Sequence, residues 1–193
     1  MKANGVPITF LGESKELAVP FFQRHYVWKE ENWQELLQSF QNTDTVPFLG
    51  SIILKDKGWG NFEIIDGQQR LTTITILAKA LYDSLPEEKK TPDNGIFTSI
   101  IAYLFYNKNA SDSLNERKPK ITHSYYDKES YSSVVKSTIV DEPAINLSNI
   151  GENSNNILKC YKYYREYLNG KSVDEINHLF NSIFDNTKKV IVL

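Results

Sequence analysis

Apolar and polar positions along the chain alternate between two periods, and the change of period marks out the elements. Short β-prone pieces at Val6–Leu11 and Leu17–Val19 open the chain. Trp33, Leu36, Leu37 and Phe40 follow at the i, i+3, i+4, i+7 spacing of one helix face, which predicts a helix over 29–40 with Trp33 in the core. After the polar loop 41–47, Phe48–Leu54 reads as a buried strand. The glycine-bearing segment 55–61 reads as a hairpin loop, and Phe62–Ile65 as the return strand. Leu71, Ile74, Leu77, Ala78 and Leu81 then trace a helical face to about Leu85.

Residues 86–94, PEEKKTPDN, are polar and turn-rich and form the candidate subdomain boundary. Beyond them the pattern predicts a helix at 96–106, a polar loop at 107–116 and a short strand at 118–122. A helix at 128–137 is expected with Asp127 as its N-cap, followed by irregular chain at 138–155. Two more helices are expected, at 157–168 ending on Asn169-Gly170 and at 173–184 capped by Ser172. The run KKVIVL at 188–193 reads as an unpaired terminal strand, which suggests that the part after residue 85 is shortened at its C-terminal end. No internal repeat or low-complexity segment interrupts this order. Strands and helices mixed along the chain in this way are expected to form an α+β fold.

With 193 residues, 40% hydrophobic and 24% charged, the chain is long enough to bury a substantial core. A net charge of -2 means that any nucleic-acid contact must come from a local patch. One cysteine, Cys160, excludes an internal disulfide and fits a reducing cytoplasm, and its helical setting favours packing over nucleophilic chemistry. No apolar stretch approaches the roughly 20 residues that span a bilayer, and the N-terminus lacks a signal-peptide core. A soluble, cytoplasmic protein without membrane partners is expected.

The candidate chemistry centres on Ile65-Asp66-Gly67-Gln68-Gln69-Arg70-Leu71-Thr72-Thr73, where a strand turns sharply into a helix. Gly67 exposes backbone N–H groups at a helix start, where the dipole favours an anion. Arg70 can fork two oxygens, and Gln68, Gln69, Thr72 and Thr73 add neutral donors. Either threonine can instead touch a metal-bound water. Asp66 repels phosphate unless a cation intervenes, so it either holds Mg²⁺ or a water, or caps the helix. The turn lacks the lysine of GxxxxGK[ST] and is no GxGxxG. His25, His123 and His178 are scattered too widely for zinc-ligand spacing. Upstream, Gln23 and Arg24 sit among aromatic residues and either belong to an aromatic minicore or point into the same pocket. His25 is either an acid–base group or a surface histidine. Lys118, Lys120, His123, Tyr125 and Tyr126 mix basic and aromatic residues, as a DNA-binding surface or a solvated loop does.

Three segments together carry a resemblance: P-x-x-Q-R-x-Y-x-W at Pro20–Trp28, F-L-G-S-I at Phe48–Ile52, and I-D-G-Q-Q-R-L-T-T at Ile65–Thr73. In order and spacing they resemble the N-terminal domain of GmrSD-type restriction and antiphage proteins, a bacterial family with a D-G-Q-Q-R signature. The match is firm over 15–85 and looser to 193. The resemblance implies a ParB/sulfiredoxin-like core at 1–85, with a small mixed sheet and flanking helices, and a mainly helical extension at 86–193. It carries Arg24 onto the arginine of a first phosphate-binding motif, and Gly67, Gln68, Gln69 and Arg70 onto a second. It implies binding, and hydrolysis with Mg²⁺, of a nucleoside triphosphate (GTP, UTP or CTP) through Gln23, Arg24, Gly67, Gln68, Gln69, Arg70, Thr72 and Thr73. Asp66, Arg70 and Arg24 would be catalytic and Asp66 the metal ligand. Implied partners are the nucleotide, modified DNA, a nuclease domain or subunit outside this chain, and a second copy of the chain. The sequence has no H-N-H nuclease signature and lacks the family's phenylalanine-glutamate-x-x-asparagine tract, so cleavage is not expected of this chain alone. Modified-DNA recognition without catalysis, and an inactive fragment, are the alternatives to a nucleotide-dependent regulatory domain.

Overall fold

The computed structural model describes residues 4–13, 16–41, 51–106, 113–140, 142–184 and 189–192. The elements are β1 (Asn4–Pro7), α1 (Phe10–Glu13), β2 (Leu17–Ala18), α2 (Glu30–Gln41), β3 (Ser51–Asp56), β4 (Phe62–Asp66) and α3 (Gln68–Ser84). They continue with α4 (Gly95–Leu104), β5 (Phe105–Tyr106), β6 (Lys118–Pro119), β7 (Ile121–Thr122), α5 (Tyr125–Lys136), α6 (Asn156–Leu168), α7 (Val173–Ile183) and β8 (Lys189–Val192). The α+β class expected from the pattern is what forms.

A mixed sheet runs in the order β1-β8-β3-β4-β2-β7, and β5 and β6 make a separate two-stranded ladder. The β3–β4 hairpin is antiparallel, with an irregular register between Ile53 and Leu54. β2 pairs parallel with both β4 and β7. The terminal strand is not unpaired: β8 lies antiparallel to β1 on one side and parallel to β3 on the other. This long-range pairing leaves no mark in local sequence.

Helix α3 is the axis of the domain. The sequence shows one apolar stripe, yet every residue from Leu71 to Tyr82 is buried. The helices α4, α5, α6 and α7 pack around it, so it has no solvent face. Its buried threonines and lysine are therefore engaged. Thr73 Oγ1 donates to Gln69 O at 2.8 Å and Thr75 Oγ1 to Thr72 O at 2.9 Å, while Tyr131 OH donates to Thr75 Oγ1 at 2.9 Å. Lys79, fully buried, pairs with Asp83 one turn on. Asp83 also accepts from Tyr161 OH and Thr138 Oγ1, each at 2.6 Å, which ties α3 to α6 and to the end of α5. Burial pulls the Lys79 ammonium down to about 8, against the pull of Asp83. Apolar residues from Ile8 to Phe184 form one cluster around this helix, with Trp33 and Cys160 inside it as expected.

The remaining differences are local. The segment expected as a strand at 6–11 splits into β1 and the short α1. The expected strand at 118–122 divides into β6 and β7, which join different sheets. Asp127 is not an N-cap: α5 begins at Tyr125 after Ser124, and Asp127 turns inward, 2% exposed. Residues 48–50, 107–112, 188 and 193 of the expected elements lie outside the described residues.

Removing the carboxylate of Asp83 strands the buried Lys79 charge. Asp83→Ala is expected to cost about 3–5 kcal/mol in urea unfolding. A loss below about 1 kcal/mol would show that the pair does not hold the helices together.

Candidate functional site

The turn between β4 and α3 requires glycine on two counts. Gly67 sits in the left-handed region at φ 91°. A Cβ there would lie 3.0 Å from Ile52 Cγ1 and 3.3 Å from Ile52 Cα, so β3 runs hard against the turn. Among the described residues no side chain caps the helix that follows, and Asp66 does not fold back to do so. The first-turn N–H groups of α3 and their partial positive charge are thus left for another acceptor.

The segment 20–29, which has no regular secondary structure beyond a turn, is stitched across this helix start by three glutamines. Gln23 Nε2 donates to Ile65 O at 2.7 Å, and Gln68 Nε2 donates to Arg24 O at 2.7 Å. Gln69 uses both ends of its amide. Nε2 donates to His25 O at 3.1 Å, and Oε1 accepts from Val27 N at 2.9 Å and Trp28 N at 3.2 Å. A carboxylate cannot make the donor half of these pairs, which is why the chemistry asks for glutamine. Behind the segment, Tyr26 OH meets Thr73 Oγ1 at 2.6 Å and accepts from Trp33 Nε1 at 2.8 Å. Tyr26 N donates to Asp127 Oδ2 at 2.6 Å.

The two halves enclose a cavity of about 420 Å³, lined by Gln23, Arg24, Trp28, Ser51, Asp66, Gly67, Gln68, Gln69 and Arg70. Arg24 and Arg70, 46 positions apart in sequence, therefore line one space, with Asp66 as the one carboxylate lining it among the described residues. Arg70 Nη1 donates to Ser51 O at 3.3 Å, which leaves most of its five N–H groups without a partner among the described residues. Partial burial lowers the Arg70 pKa below its ordinary value, and Asp66 opposes the shift. An acceptor anion placed here meets two guanidinium groups and an open helix N-terminus.

The sequence-derived site residues fall into three groups. Arg24, Asp66, Gly67 and Arg70 present unspent groups to the cavity. Gln23, Gln68 and Gln69 line it too, with their amides spent on the backbone of the other half. Thr72 and Thr73 are buried and do not line it. Thr72 Oγ1 lies 3.2 Å from His123 Nε2. Trp28, Ser51 and Asp127 carry weight that local pattern did not assign them: Trp28 as a wall, Ser51 through its carbonyl on Arg70, Asp127 through its bond to Tyr26. The basic and aromatic set also divides. Lys118, Tyr125 and Tyr126 are exposed, whereas Lys120 and His123 are buried. Among the described residues no cluster of three or more His, Cys, Asp or Glu is placed to hold a metal, and no helix is long and apolar enough to cross a membrane.

An α+β domain with a doubly basic cavity at an uncapped helix start is the class that fold and site define. Residues 8–192 match the family described as GmrSD restriction endonuclease, N-terminal domain, and the chain belongs to it. No curated protein matches the chain.

Two outcomes follow. Gly67→Ala is expected to lose about 1–3 kcal/mol of unfolding free energy from backbone strain, with the Ile52 contact adding to it; a wild-type urea midpoint would contradict the close approach. Burial pushes His123 down to about 4, with Asp127 opposing. The unfolded chain, with an ordinary histidine near 6.5, then binds the extra proton between those values. Stability should fall on the order of 3 kcal/mol as pH drops from about 6.5 to 4. Denaturation of wild type and His123→Gln across that window checks this, and parallel curves would contradict it.

Proposed function

We propose that this domain binds a nucleoside triphosphate with its phosphates in the cavity between segment 20–29 and the start of α3, and that nucleotide state regulates a nuclease domain or subunit outside this chain. One observation carries the reading: arginines from two distant segments and an uncapped, glycine-opened helix start line the same cavity. The two-part arrangement is also what a ParB-like phosphate site requires. Arg24 and Arg70 hold the phosphate oxygens by charge-assisted hydrogen bonds, and the N–H groups of Gln68 and Gln69 add uncharged donors from the helix end. Gln23, Gln68 and Gln69 act as positioning residues by fixing where Arg24 stands relative to Arg70.

Asp66 is the single carboxylate lining the cavity among the described residues. One carboxylate with nucleotide phosphates and water suits Mg²⁺, which seldom uses an all-protein cage. Bound there, Mg²⁺ would supply charge neutralisation on the phosphates. Hydrolysis then depends on Arg24 and Arg70 stabilising charge on the transferred phosphoryl group, with Asp66 orienting water or metal. GTP, CTP and UTP are the candidate ligands.

A second reading, recognition of modified DNA, is favoured by exposed aromatics beside the same segment. Tyr125 and Tyr126 are 89% and 77% exposed, and the His25 ring lies 6.3 Å from that of Tyr126. Such rings stack on bases, and Lys118 is the exposed cation of that set.

Isothermal titration with GTP, CTP and UTP in Mg²⁺ is expected to show one site, weakened at least tenfold in Arg70→Ala and in Arg24→Ala with the fold retained. Failure of folded wild-type protein to bind any of the three would overturn the proposal.

A further inference from the structure

Three consecutive residues at the tip of the β3–β4 hairpin, Gly58, Trp59 and Gly60, take left-handed backbone, with φ of 84°, 59° and 78°. Glycine enters that region freely, whereas a tryptophan there is strained. The Trp59 indole is also 88% exposed, so burial within its own chain does not offset the strain. The tip is nonetheless held in place. Lys57 N donates to Asn61 O at 2.9 Å and Gly58 N to Asp56 Oδ1 at 2.6 Å. Asn61 N and Nδ2 both donate to Gly58 O, at 3.1 and 3.2 Å. A fixed turn that presents one bare indole has the form of a projecting anchor, and tryptophan is enriched among the residues that dominate interfaces.

A hollow of about 540 Å³ lies beside α4, with Phe97, Ile101, Ala102, Phe105, Tyr106 and Leu114 making most of its wall. Glu16 joins anchor and hollow. Its N–H donates to Asn61 Oδ1 at 3.4 Å, two residues from Trp59, while its carboxylate accepts from Tyr106 OH in the wall of the hollow. Thr122 Oγ1 holds the same carboxylate at 2.6 Å. The projecting indole and the apolar hollow therefore adjoin one residue, yet Trp59 does not line the hollow of its own chain.

We propose that this face is a self-association surface, on which Trp59 of one copy seats in the α4 hollow of a second copy and receives the second copy's Trp59 in return. The aromatic and aliphatic wall suits an indole, and a second copy brings both complementary parts. Because anchor and hollow lie side by side, a two-fold axis between them lets both seats fill at once, so the contact closes as a dimer instead of growing into a filament. Two indoles of roughly 200 Å² each and the walls they cover bury on the order of 800 Å² in total, short of the roughly 1,200 Å² of stable interfaces. The dimer is accordingly a weak, reversible one. Neither Arg24 nor Arg70 takes part, so the surface stands apart from the nucleotide reading.

Sedimentation equilibrium of the full chain over about 5–500 μM is expected to show monomer and dimer in exchange. Trp59→Asn, a residue that tolerates left-handed backbone, should weaken the dimer at least tenfold. Ala102→Trp, which fills the hollow from α4, should do the same, and Arg70→Ala should change nothing; thermal melts check that each variant folds. Trapping gives a second readout that does not depend on these variants. Trp59→Cys mixed with Ala102→Cys under mild oxidation should yield a disulfide-linked heterodimer in excess of the homodimers either forms alone, with the buried Cys160 as a silent background. A monomer at every concentration, the result expected if the tip serves a different protein or the hollow a small ligand, would overturn the proposal. So would a dimer indifferent to Trp59→Asn, or the absence of the mixed cross-link.

Discussion

Everything about the candidate site depends on the side-chain amide of Gln69. Segment 20–29 has little secondary structure of its own, so its backbone groups need partners from elsewhere. Gln69 supplies three of them, to His25, Val27 and Trp28, and Gln68 a fourth, to Arg24. Each such bond is worth about 0.5–1.5 kcal/mol net, yet leaving the same buried groups unpaired costs about 1–3 kcal/mol apiece. The glutamines therefore act less as ligands than as the fastening that sets Arg24 beside Arg70. Charge recognition is the product of a neutral amide lattice.

That lattice is only as rigid as the helix beneath it. α3 is enclosed by α4, α5, α6 and α7, and its threonines, lysine and aspartate-bound end are each satisfied inside the core. Tyr26 links the two levels, since its hydroxyl joins Thr73 and Trp33 while its N–H joins Asp127. A displacement of α5 or α6 relative to α3 would thus reach Arg24 through Asp127 and Tyr26. Gly67 completes the arrangement from the other side by letting Ile52 of β3 touch the turn.

The elements that were legible in the sequence are those with a clear period. The amphipathic stripes of α2, α6 and α7, the β3–β4 hairpin and the glycine turn all declare themselves locally, and the D-G-Q-Q-R and Q-R-x-Y-x-W signatures fix the family. What escaped reading needs tertiary information. The stripe on α3 gave no hint of burial on all sides, because Thr72, Thr75 and Lys79 look solvent-facing until their partners His123, Tyr131 and Asp83 are placed. Asp127 carries the composition of an N-cap, and only the distant Tyr26 N–H explains why it turns inward. Gln68 and Gln69 read as free donors for the same reason: an amide facing a ligand and an amide facing a backbone segment 41–44 residues upstream are the same letters. The partnering of β8 between β1 and β3 is likewise a long-range event without a local signal.

In the proposed reading, two guanidinium groups, one carboxylate and an uncapped helix start would receive a phosphate chain together with a divalent cation. Family membership sets that geometry in the context of a restriction endonuclease. A crystal structure of the protein with a non-hydrolysable triphosphate and Mg²⁺ tests the point most directly. Density for the phosphates is expected at the N-terminus of α3, with Arg24 and Arg70 both on phosphate oxygens and the Gln69 amide still bonded to Val27 and Trp28. A triphosphate bound elsewhere, or phosphates held while Arg24 and Arg70 point away, would contradict it.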